Sequence, residues 1–208
     1  MEPAKFFYLV RHGTTQFNQS NLLQGREDHP INETGIREAR ALQTVLKDRP
    51  IEIVFHSPLM RAAETAKIIN ESHGAPCKTV DCFCEIDLGD WEGRMYEDVV
   101  EQNADFYQKW LADPYLQIPG GESIVDVCNR VKPGVEDLFS TAHTHILLVG
   151  HATVNRAILG NMLGMDPAVA RMFRMRNGAY SKLLFYPNPH RRRVVVESWN
   201  NTGHLDGI

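Results

Sequence analysis

The feature that most constrains the fold is the alternation of short apolar runs with stretches whose apolar residues recur at helical spacing. The runs cover residues 5–10, 51–55 and 146–149, and each has the length of a buried strand. Between them lie amphipathic stretches, such as the one through Ile36, Ala39 and Leu42. Strands that alternate with helices predict an α/β layered fold with a mostly parallel sheet.

Two regions depart from this alternation. Residues 180–185 and 193–199 have the pattern of a hairpin joined at 187–189 (PNP), which would add an antiparallel edge to the sheet. Residues 84–123 lack strong strand signals and are rich in aromatic residues, so they predict a helical lobe over the carboxyl edge of the sheet. The 208 residues contain no repeat or long linker, and we expect one domain, 1–208, with 84–123 as its capping lobe.

Several helix ends can also be predicted. Asn32 or Thr34 could cap the first long helix, and Ser123 could begin another, with Pro133 expected to kink or break it. Residues 151–163 form a further helical stretch, which Gly164 would close.

The net charge of –4 gives no reason to expect a nucleic acid or an anionic membrane as a partner. No signal peptide precedes the first apolar run, and that run is too short to cross a bilayer, so we expect a cytoplasmic protein with reduced thiols. Cys82 and Cys84 lack the second pair of ligands that a zinc site needs. We therefore expect neither a metal nor a cofactor.

Basic residues follow all three predicted strands. Arg11 and His12 follow the first, Arg61 follows the second after a short polar segment, and His151 follows the third. Because the carboxyl ends of parallel strands meet at one edge of a sheet, these side chains should converge. Guanidinium groups match phosphate oxygens and imidazole can attack or donate, so the expected pocket suits a phosphoryl group.

Four ordered segments resemble the motifs of the histidine phosphatase superfamily, also called phosphoglycerate mutase-like. They are residues 9–15 (LVRHGTT) followed by Asn18, residues 57–66 (SPLMRAAETA), Glu85 followed by residues 88–93 (LGDWEG), and residues 149–151 (VGH). The resemblance runs from about residue 6 to residue 204. It implies a three-layer α/β/α sandwich, a phosphohistidine intermediate and no metal.

The resemblance also implies the role of each site residue. His12 attacks phosphorus, while Arg11, Arg61 and His151 bind the phosphoryl oxygens with help from Asn18. Glu85 protonates the leaving oxygen and then takes a proton from water. Gln24 and Gly25 resemble the loop that touches the rest of the substrate.

On physical grounds alone, Asp87, Asp90 and Glu92 are alternatives to Glu85 as the acid. The motif favours Glu85, and the other three suit a solvated turn.

Two other functions compete with a phosphatase. A cofactor-dependent phosphoglycerate mutase would use the same residues, although such mutases are usually longer and residues 91–93 resemble the phosphatase branch. A non-catalytic phospho-ligand binding protein would normally lack His12 or Glu85, and both are present. We expect a small phosphorylated metabolite as the substrate, but its identity stays open, as does the oligomeric state, with a homodimer among the options.

Overall fold

A computed structural model describes residues 3–187 and 193–208. Its strands form a six-stranded sheet in the order β3-β2-β4-β1-β5-β6. The strands are β1 (Lys5–Arg11), β2 (Ile53–His56), β3 (Cys77–Thr79), β4 (His145–Gly150), β5 (Tyr180–Tyr186) and β6 (Arg193–Asn201). The first four are mutually parallel, and β5 pairs antiparallel with both β1 and β6. The mostly parallel sheet and its antiparallel edge are confirmed, whereas the predicted hairpin turn lies largely outside the described residues.

The helices are α1 (Gln16–Gln19), α2 (Glu33–Leu46), α3 (Met60–Asn70), α4 (Tyr96–Gln102), α5 (Ala104–Ala112), α6 (Ile124–Ser140), α7 (Ala152–Leu163) and α8 (Pro167–Ala170). Single 3-10 turns occur at Asp81–Phe83, Gly89–Trp91 and Gly203–Leu205. No helix within residues 3–187 or 193–208 combines the length and the apolar character that crossing a membrane requires.

Side-chain alternation along β1 accounts for the three layers. Phe7 and Leu9 belong to a core cluster that includes the buried faces of α6 and α7. Tyr8 and Val10, which point to the opposite face, belong to a second cluster with α2 and α3. Because β1 is covered on both faces, the residues between Lys5 and Arg11 are all apolar or aromatic, and each buried apolar side chain contributes about 1.5–3 kcal/mol.

The helix ends mostly match their sequence signals. Asn32, rather than Thr34, caps α2, and its side chain accepts a hydrogen bond from the Gly35 N–H at 3.0 Å. Ser123 caps α6 in a capping box with Asp126. Gly164 ends α7 in the left-handed conformation, with a φ of 66°.

The expectation of a break at Pro133 was wrong. The helix α6 continues through this residue to Ser140. A proline leaves the carbonyl four residues earlier, here that of Asn129, without its helical partner. Asn129 and Pro133 are both exposed, so water can hydrate that carbonyl and the helix can continue.

Residues 84–123 contain a 3-10 turn and helices α4 and α5, and no strand is found among them. Their centre is the buried Trp91, whose ring lies 5.5–6.0 Å from the rings of Phe106, Tyr107 and Trp110. Edge-to-face contacts of this kind add to the burial energy. This aromatic cluster joins the core layer that contains α6 and α7, so the helical region packs on that side of the sheet.

Candidate active site

The structure brings the four predicted basic residues together at the carboxyl edge of the sheet. Arg11 ends β1, His12 follows it, and the His12 N–H donates to the Gly150 carbonyl at the end of β4. His151 comes next in the chain, and its ring centre lies 5.1 Å from that of His12. Arg61 enters from the first turn of α3, after β2. Their convergence therefore follows from the parallel order of β2, β4 and β1.

The His12 ring is held in one orientation and one tautomer. Its Nδ1 lies 2.7 Å from the Gly13 carbonyl oxygen. A carbonyl can only accept, so Nδ1 carries the proton and Nε2 keeps its lone pair. The Asn177 amide nitrogen lies 3.5 Å from the same Nδ1, but it donates to the His12 carbonyl at 3.2 Å and to Asn18 Oδ1 at 3.0 Å. The nitrogen with the free lone pair is thus the one directed away from the backbone.

His12 is only 3% exposed. Burial, followed by the positive charges of Arg61 and Arg11, lowers the pKa of His12 well below its usual value. The imidazole is therefore neutral at physiological pH, and neutral imidazole is its nucleophilic form.

Close packing holds the loop after His12 in place. The Gly13 N–H donates to Thr65 Oγ1 at 3.0 Å, and a Cβ on Gly13 would lie 2.5 Å from the backbone oxygen of Gly35. A contact below 3 Å with backbone cannot be relieved by a side-chain rotation, so this position requires glycine.

Arg61 is buried, at 1% exposure, and is anchored through three of its donors. Its Nε donates to His151 Nδ1 at 3.2 Å, and its Nη groups donate to the carbonyls of Glu27 and Gly25 at 2.8 and 2.6 Å. A guanidinium has five N–H groups, so two remain for a ligand. Gly25, which was predicted to touch the substrate, has its carbonyl on Arg61 and a φ of 53°, a conformation that favours glycine.

His151 is fully buried, and both of its ring nitrogens are engaged. Nδ1 accepts from Arg61, so Nε2 carries the proton and donates to Ser57 Oγ at 2.7 Å. Burial and then the neighbouring Arg61, His12 and Arg11 lower the pKa of His151 well below its usual value. For the predicted phosphoryl contact, a phosphoryl oxygen would have to replace Ser57 Oγ as the acceptor of the Nε2 proton.

Two buried donors, on the predicted site residues Arg11 and Gln24, lack an acceptor among the described residues. Arg11 Nη1 donates to the Met175 carbonyl at 2.8 Å, whereas its Nε is buried without a partner. Gln24 Nε2 is also buried and unpaired, although its Oε1 accepts from Thr15 Oγ1. Each unsatisfied buried donor costs about 1–3 kcal/mol, which a ligand rich in acceptor oxygens would recover.

Arg11 keeps its charge despite this burial. Burial lowers the pKa of Arg11 to about 10, and Glu85 is the strongest opposing charge. Arg11 is therefore still protonated at neutral pH.

The predicted Asn18 lies at the same edge. Its Oδ1 accepts from the Thr15 N–H at 3.2 Å and from Asn177 Nδ2 at 3.0 Å. These bonds occupy the oxygen and leave the Asn18 amide nitrogen to donate to a ligand.

The Glu85 carboxylate lies at the N-terminus of α7, the helix that begins directly after His151. Oε2 accepts from the Thr153 N–H at 3.2 Å, and Oε1 accepts from those of Val154 and Ile86 at 3.3 and 2.9 Å. Glu85 is also the strongest charge that opposes the lowered pKa of both Arg11 and Arg61. It therefore faces the cluster of basic residues.

The alternative acids are held elsewhere. Asp87 Oδ1 accepts from the Gly89 N–H at 2.9 Å, while Glu92 Oε1 accepts from the N–H groups of Arg26 and Leu88 at 2.7 and 3.1 Å. Asp90 is exposed. Asp87 therefore organises its own loop, whereas Glu92 joins its loop to the loop that contains Arg26.

Sequence reasoning did not single out Ser57 and Asn177 as site residues. Ser57 lies within a motif that was matched only as a block, and its contact with His151 spans 94 positions. Asn177 precedes β5, and its proximity to His12 could have been inferred only if β5 had been paired with β1. His204, near the end of the chain, contacts the segment that contains Asn177, because its Nε2 lies 2.8 Å from the Gly178 carbonyl oxygen.

Across the described residues, no three His, Cys, Asp or Glu side chains are grouped so as to hold a metal ion. The positive charge that this site offers to a ligand comes from the guanidinium groups of Arg11 and Arg61, because the N–H groups that begin α7 donate to Glu85.

The lowered pKa of His12 predicts how stability depends on pH. Below about pH 6.5 the unfolded chain takes up a proton at this residue, whereas the folded chain does not. The free energy of unfolding should therefore fall as the pH falls, by up to about 1.4 kcal/mol per pH unit for each such histidine. We predict that His12→Asn reduces the average slope by about 0.8 kcal/mol per pH unit in denaturant titrations between pH 7 and pH 5.5, because the unfolded histidine is only partly protonated in this range. His73, His145 and His204, whose pKa values burial also lowers, remain in both proteins. Equal slopes would contradict the assignment.

Comparison with known proteins supports this arrangement of motifs. A sequence profile of the histidine phosphatase superfamily (branch 1) matches residues 7–202. Phosphoserine phosphatase 1 of Hydrogenobacter thermophilus is 31% identical over 95% of this chain and 92% of its own length. A probable phosphoglycerate mutase, GpmB, of Proteus mirabilis is 30% identical over 97% of this chain and 95% of its own length.

Similarity extends to solved structures. A mycobacterial glucosyl-3-phosphoglycerate phosphatase, in complex with VO3, superposes with a TM-score of 0.86 at 27% identity. The match covers 95% of this chain and all of the other. The predicted three-layer fold is thereby confirmed.

Proposed function

This chain belongs to the histidine phosphatase superfamily, and we propose that it is a metal-independent phosphatase that hydrolyses small phosphomonoesters through a phosphohistidine at His12. The observation that carries the proposal is the state of His12. Its Nδ1–H donates to Gly13, its ring is neutral, and its Nε2 lone pair belongs to a site that contains Arg11 and Arg61.

In the first step, the His12 Nε2 lone pair attacks phosphorus, and the bond from phosphorus to the ester oxygen breaks. The protonated carboxyl of Glu85 gives its proton to that oxygen, so the leaving group departs as an alcohol. His12 becomes a phosphohistidine, in which Nε2 is bonded to phosphorus and the ring carries the positive charge. The Nδ1–H bond to the Gly13 carbonyl keeps the ring oriented throughout.

In the second step, water attacks phosphorus from the side that the leaving group vacated. The Glu85 carboxylate takes a proton from this water, the N–P bond breaks, and His12 returns to its neutral form. Inorganic phosphate is released, and Glu85 is again protonated. One carboxyl group can run both halves because the second transfer reverses the first.

Charge on the transferring oxygens is stabilised by groups that are already in place. Arg61 retains two N–H groups after its anchoring bonds, and the Arg11 Nε is a buried donor without a protein acceptor. Such preorganised donors are worth more in a buried site than in water. They do the work that metal ions do in many other phosphoryl-transfer sites, so the mechanism needs no metal.

Phosphoglycerate mutase activity is the alternative, because several relatives are named as probable phosphoglycerate mutases. A mutase would return the phosphoryl group of phosphohistidine to a second position on the substrate instead of to water. Two further similar proteins are named as phosphatases. We propose the cytoplasm as the location of this chain, because its four cysteines are unpaired.

A panel of small phosphomonoesters separates these functions and tests the role of metals. We predict phosphate release without any bisphosphate primer and undiminished activity in EDTA. The panel is assayed with malachite green for phosphate release, and in parallel with a coupled assay for phosphoglycerate isomerisation. Isomerisation that requires a primer, with little release, would establish a mutase. Activity lost in EDTA and restored by zinc or magnesium would overturn the metal-free mechanism.

A further inference from the structure

One side chain of α6 holds the backbone segment that carries Glu85. Arg130 Nη1 donates to the carbonyls of Cys82 and Cys84 at 2.8 and 2.9 Å, and its Nη2 donates to the carbonyl of Glu85 itself at 3.3 Å. This segment is otherwise a 3-10 turn followed by irregular backbone. A single guanidinium therefore supplies donors that a strand or helix would normally supply.

The same guanidinium pairs with Glu122 in a bidentate contact. Its Nε and Nη2 lie 2.8 and 2.9 Å from the two carboxylate oxygens. With the three carbonyls, this gives five acceptors for the five N–H groups of an arginine. Lysine has three donors on one nitrogen and could not reproduce the pattern.

Glu122 also holds the backbone on the C-terminal side of Glu85, at Asp87. One of its carboxylate oxygens accepts from the Asp87 N–H at 3.0 Å, and the Glu122 N–H donates to the Asp87 carbonyl at 2.9 Å. Burial would raise the pKa of Glu122, but its bonds from Arg130 and from the Asp87 N–H outweigh burial and lower it. The ion pair is therefore intact at neutral pH.

Glu85 is thus fixed from two directions. Its backbone is held by Arg130 on α6, while its carboxylate reaches the N–H groups that begin α7. Without Arg130, the segment could shift relative to α7, and a displacement of about 1 Å is enough to reduce a positioned reaction by about a hundredfold. The phosphoryl-binding residues lie on other elements, and no hydrogen bond joins them to Arg130 among the described residues.

We infer that Arg130 and Glu122 are positioning residues for the general acid: their ion pair sets the location of the Glu85 carboxyl and so the proton transfer to the leaving oxygen. This inference rests on the proposed function. The contacts of Arg130 are specific to the half of the site that carries Glu85, because within the described residues Arg130 makes no hydrogen bond to Arg11 or Arg61. Glu122 also pairs with Arg26 at 3.2 Å, on the loop whose Gly25 and Glu27 carbonyls anchor Arg61.

The test uses Arg130→Lys, which keeps the charge but loses the fork. We expect the rate of His12 phosphorylation in a single turnover to fall by about 10- to 100-fold for the best alkyl phosphate of the panel. The fall should be several-fold smaller for p-nitrophenyl phosphate, whose leaving group needs little protonation. The affinity for inorganic phosphate should stay within about twofold of wild type. Glu122→Gln should show the same dependence on the leaving group and carries the test if the lysine variant does not fold. Its phosphate affinity is not part of that test, because Glu122 also pairs with Arg26.

The decisive measurement combines variants. If Arg130 acts through Glu85, then Arg130→Lys should cause little further loss in a Glu85→Gln background. Arg40→Lys is the matched control, because Arg40 makes a two-contact pair with Glu71 on the exposed side of α2. It should leave both rates unchanged.

Equal defects for the two substrates, or fully additive losses with Glu85→Gln, would show that Arg130 and Glu122 do not position the general acid. Failure of the wild-type protein to form phosphohistidine would instead overturn the proposed function, so the two failures are distinguishable.

Discussion

His12→Ala should abolish phosphate release, with kcat lower than that of wild type by about 10⁴-fold or more. The variant loses the atom that forms the bond to phosphorus, and no other side chain among the described residues combines a neutral imidazole, an unprotonated Nε2 and two neighbouring guanidinium groups. His151 cannot replace it, because its Nε2 carries the proton that is donated to Ser57.

The companion measurement is direct detection of the intermediate. Rapid quench of the wild-type protein with substrate should yield a phosphorylated species that is labile in acid and stable in base, as phosphoramidates are. Mass spectrometry should place the phosphoryl group on His12. The His12→Ala variant should show no such label, yet it should still bind inorganic phosphate through Arg11 and Arg61.

His143→Ala is the control, because His143 is a partly exposed histidine that precedes β4, whereas His151 follows the opposite end of that strand. It should retain activity and labelling. A label on another residue, or direct attack of water on the substrate detected by isotope labelling, would refute the phosphohistidine mechanism.

Glu85→Gln should lower kcat by about a hundredfold or more and leave the affinity for phosphate nearly intact. Glutamine can still accept one hydrogen bond from the N–H groups of α7, so the fold of the loop should persist. It has no proton to give to the leaving oxygen and cannot accept one from water. The loss should therefore appear in catalysis and not in binding.

The size of this defect should depend on the leaving group. An alkoxide needs a proton as it departs, whereas p-nitrophenolate is stable without one. In single-turnover measurements of His12 phosphorylation, the defect should be large for alkyl phosphates and smaller for p-nitrophenyl phosphate. Steady-state rates would obscure this difference, because hydrolysis of phosphohistidine also needs Glu85.

Equal defects for both substrates would show that Glu85 is not the acid. Asp87, Asp90 and Glu92 would then be tested in turn by the same assay. Asp87 binds a backbone N–H group of its own loop, and Glu92 binds those of Leu88 and Arg26, so we expect their removal to lower stability more than it alters leaving-group dependence.

Much of the fold was predictable from the sequence because it follows from local periodicity. The apolar runs indicate the segments that are covered on both faces, and the helical spacing indicates the segments that are covered on one face only. Asn32 and Ser123 begin helices because their side chains accept from N–H groups of the first turn. Gly164 ends a helix because glycine readily adopts the left-handed conformation. Pro133 was misjudged because its effect depends on whether the freed carbonyl faces water.

The convergence of Arg11, His12, Arg61 and His151 was also predictable, because parallel strands bring their carboxyl ends to one edge. The resemblance to a known family singled out Glu85 among four nearby carboxylates, which physical reasoning alone could not do.

The chemical state of these groups was decided only by the tertiary structure. The tautomer of His12 depends on the Gly13 carbonyl, its neutrality depends on burial beside Arg61, and Arg61 is aimed by the Gly25 carbonyl 36 positions away. Arg130 reaches the Glu85 segment across 45 positions. Periodicity records which face of an element is buried, but not which distant donor meets which acceptor. That pairing is set when the elements pack, because a hydrogen bond forms only within about 3 Å and in one direction.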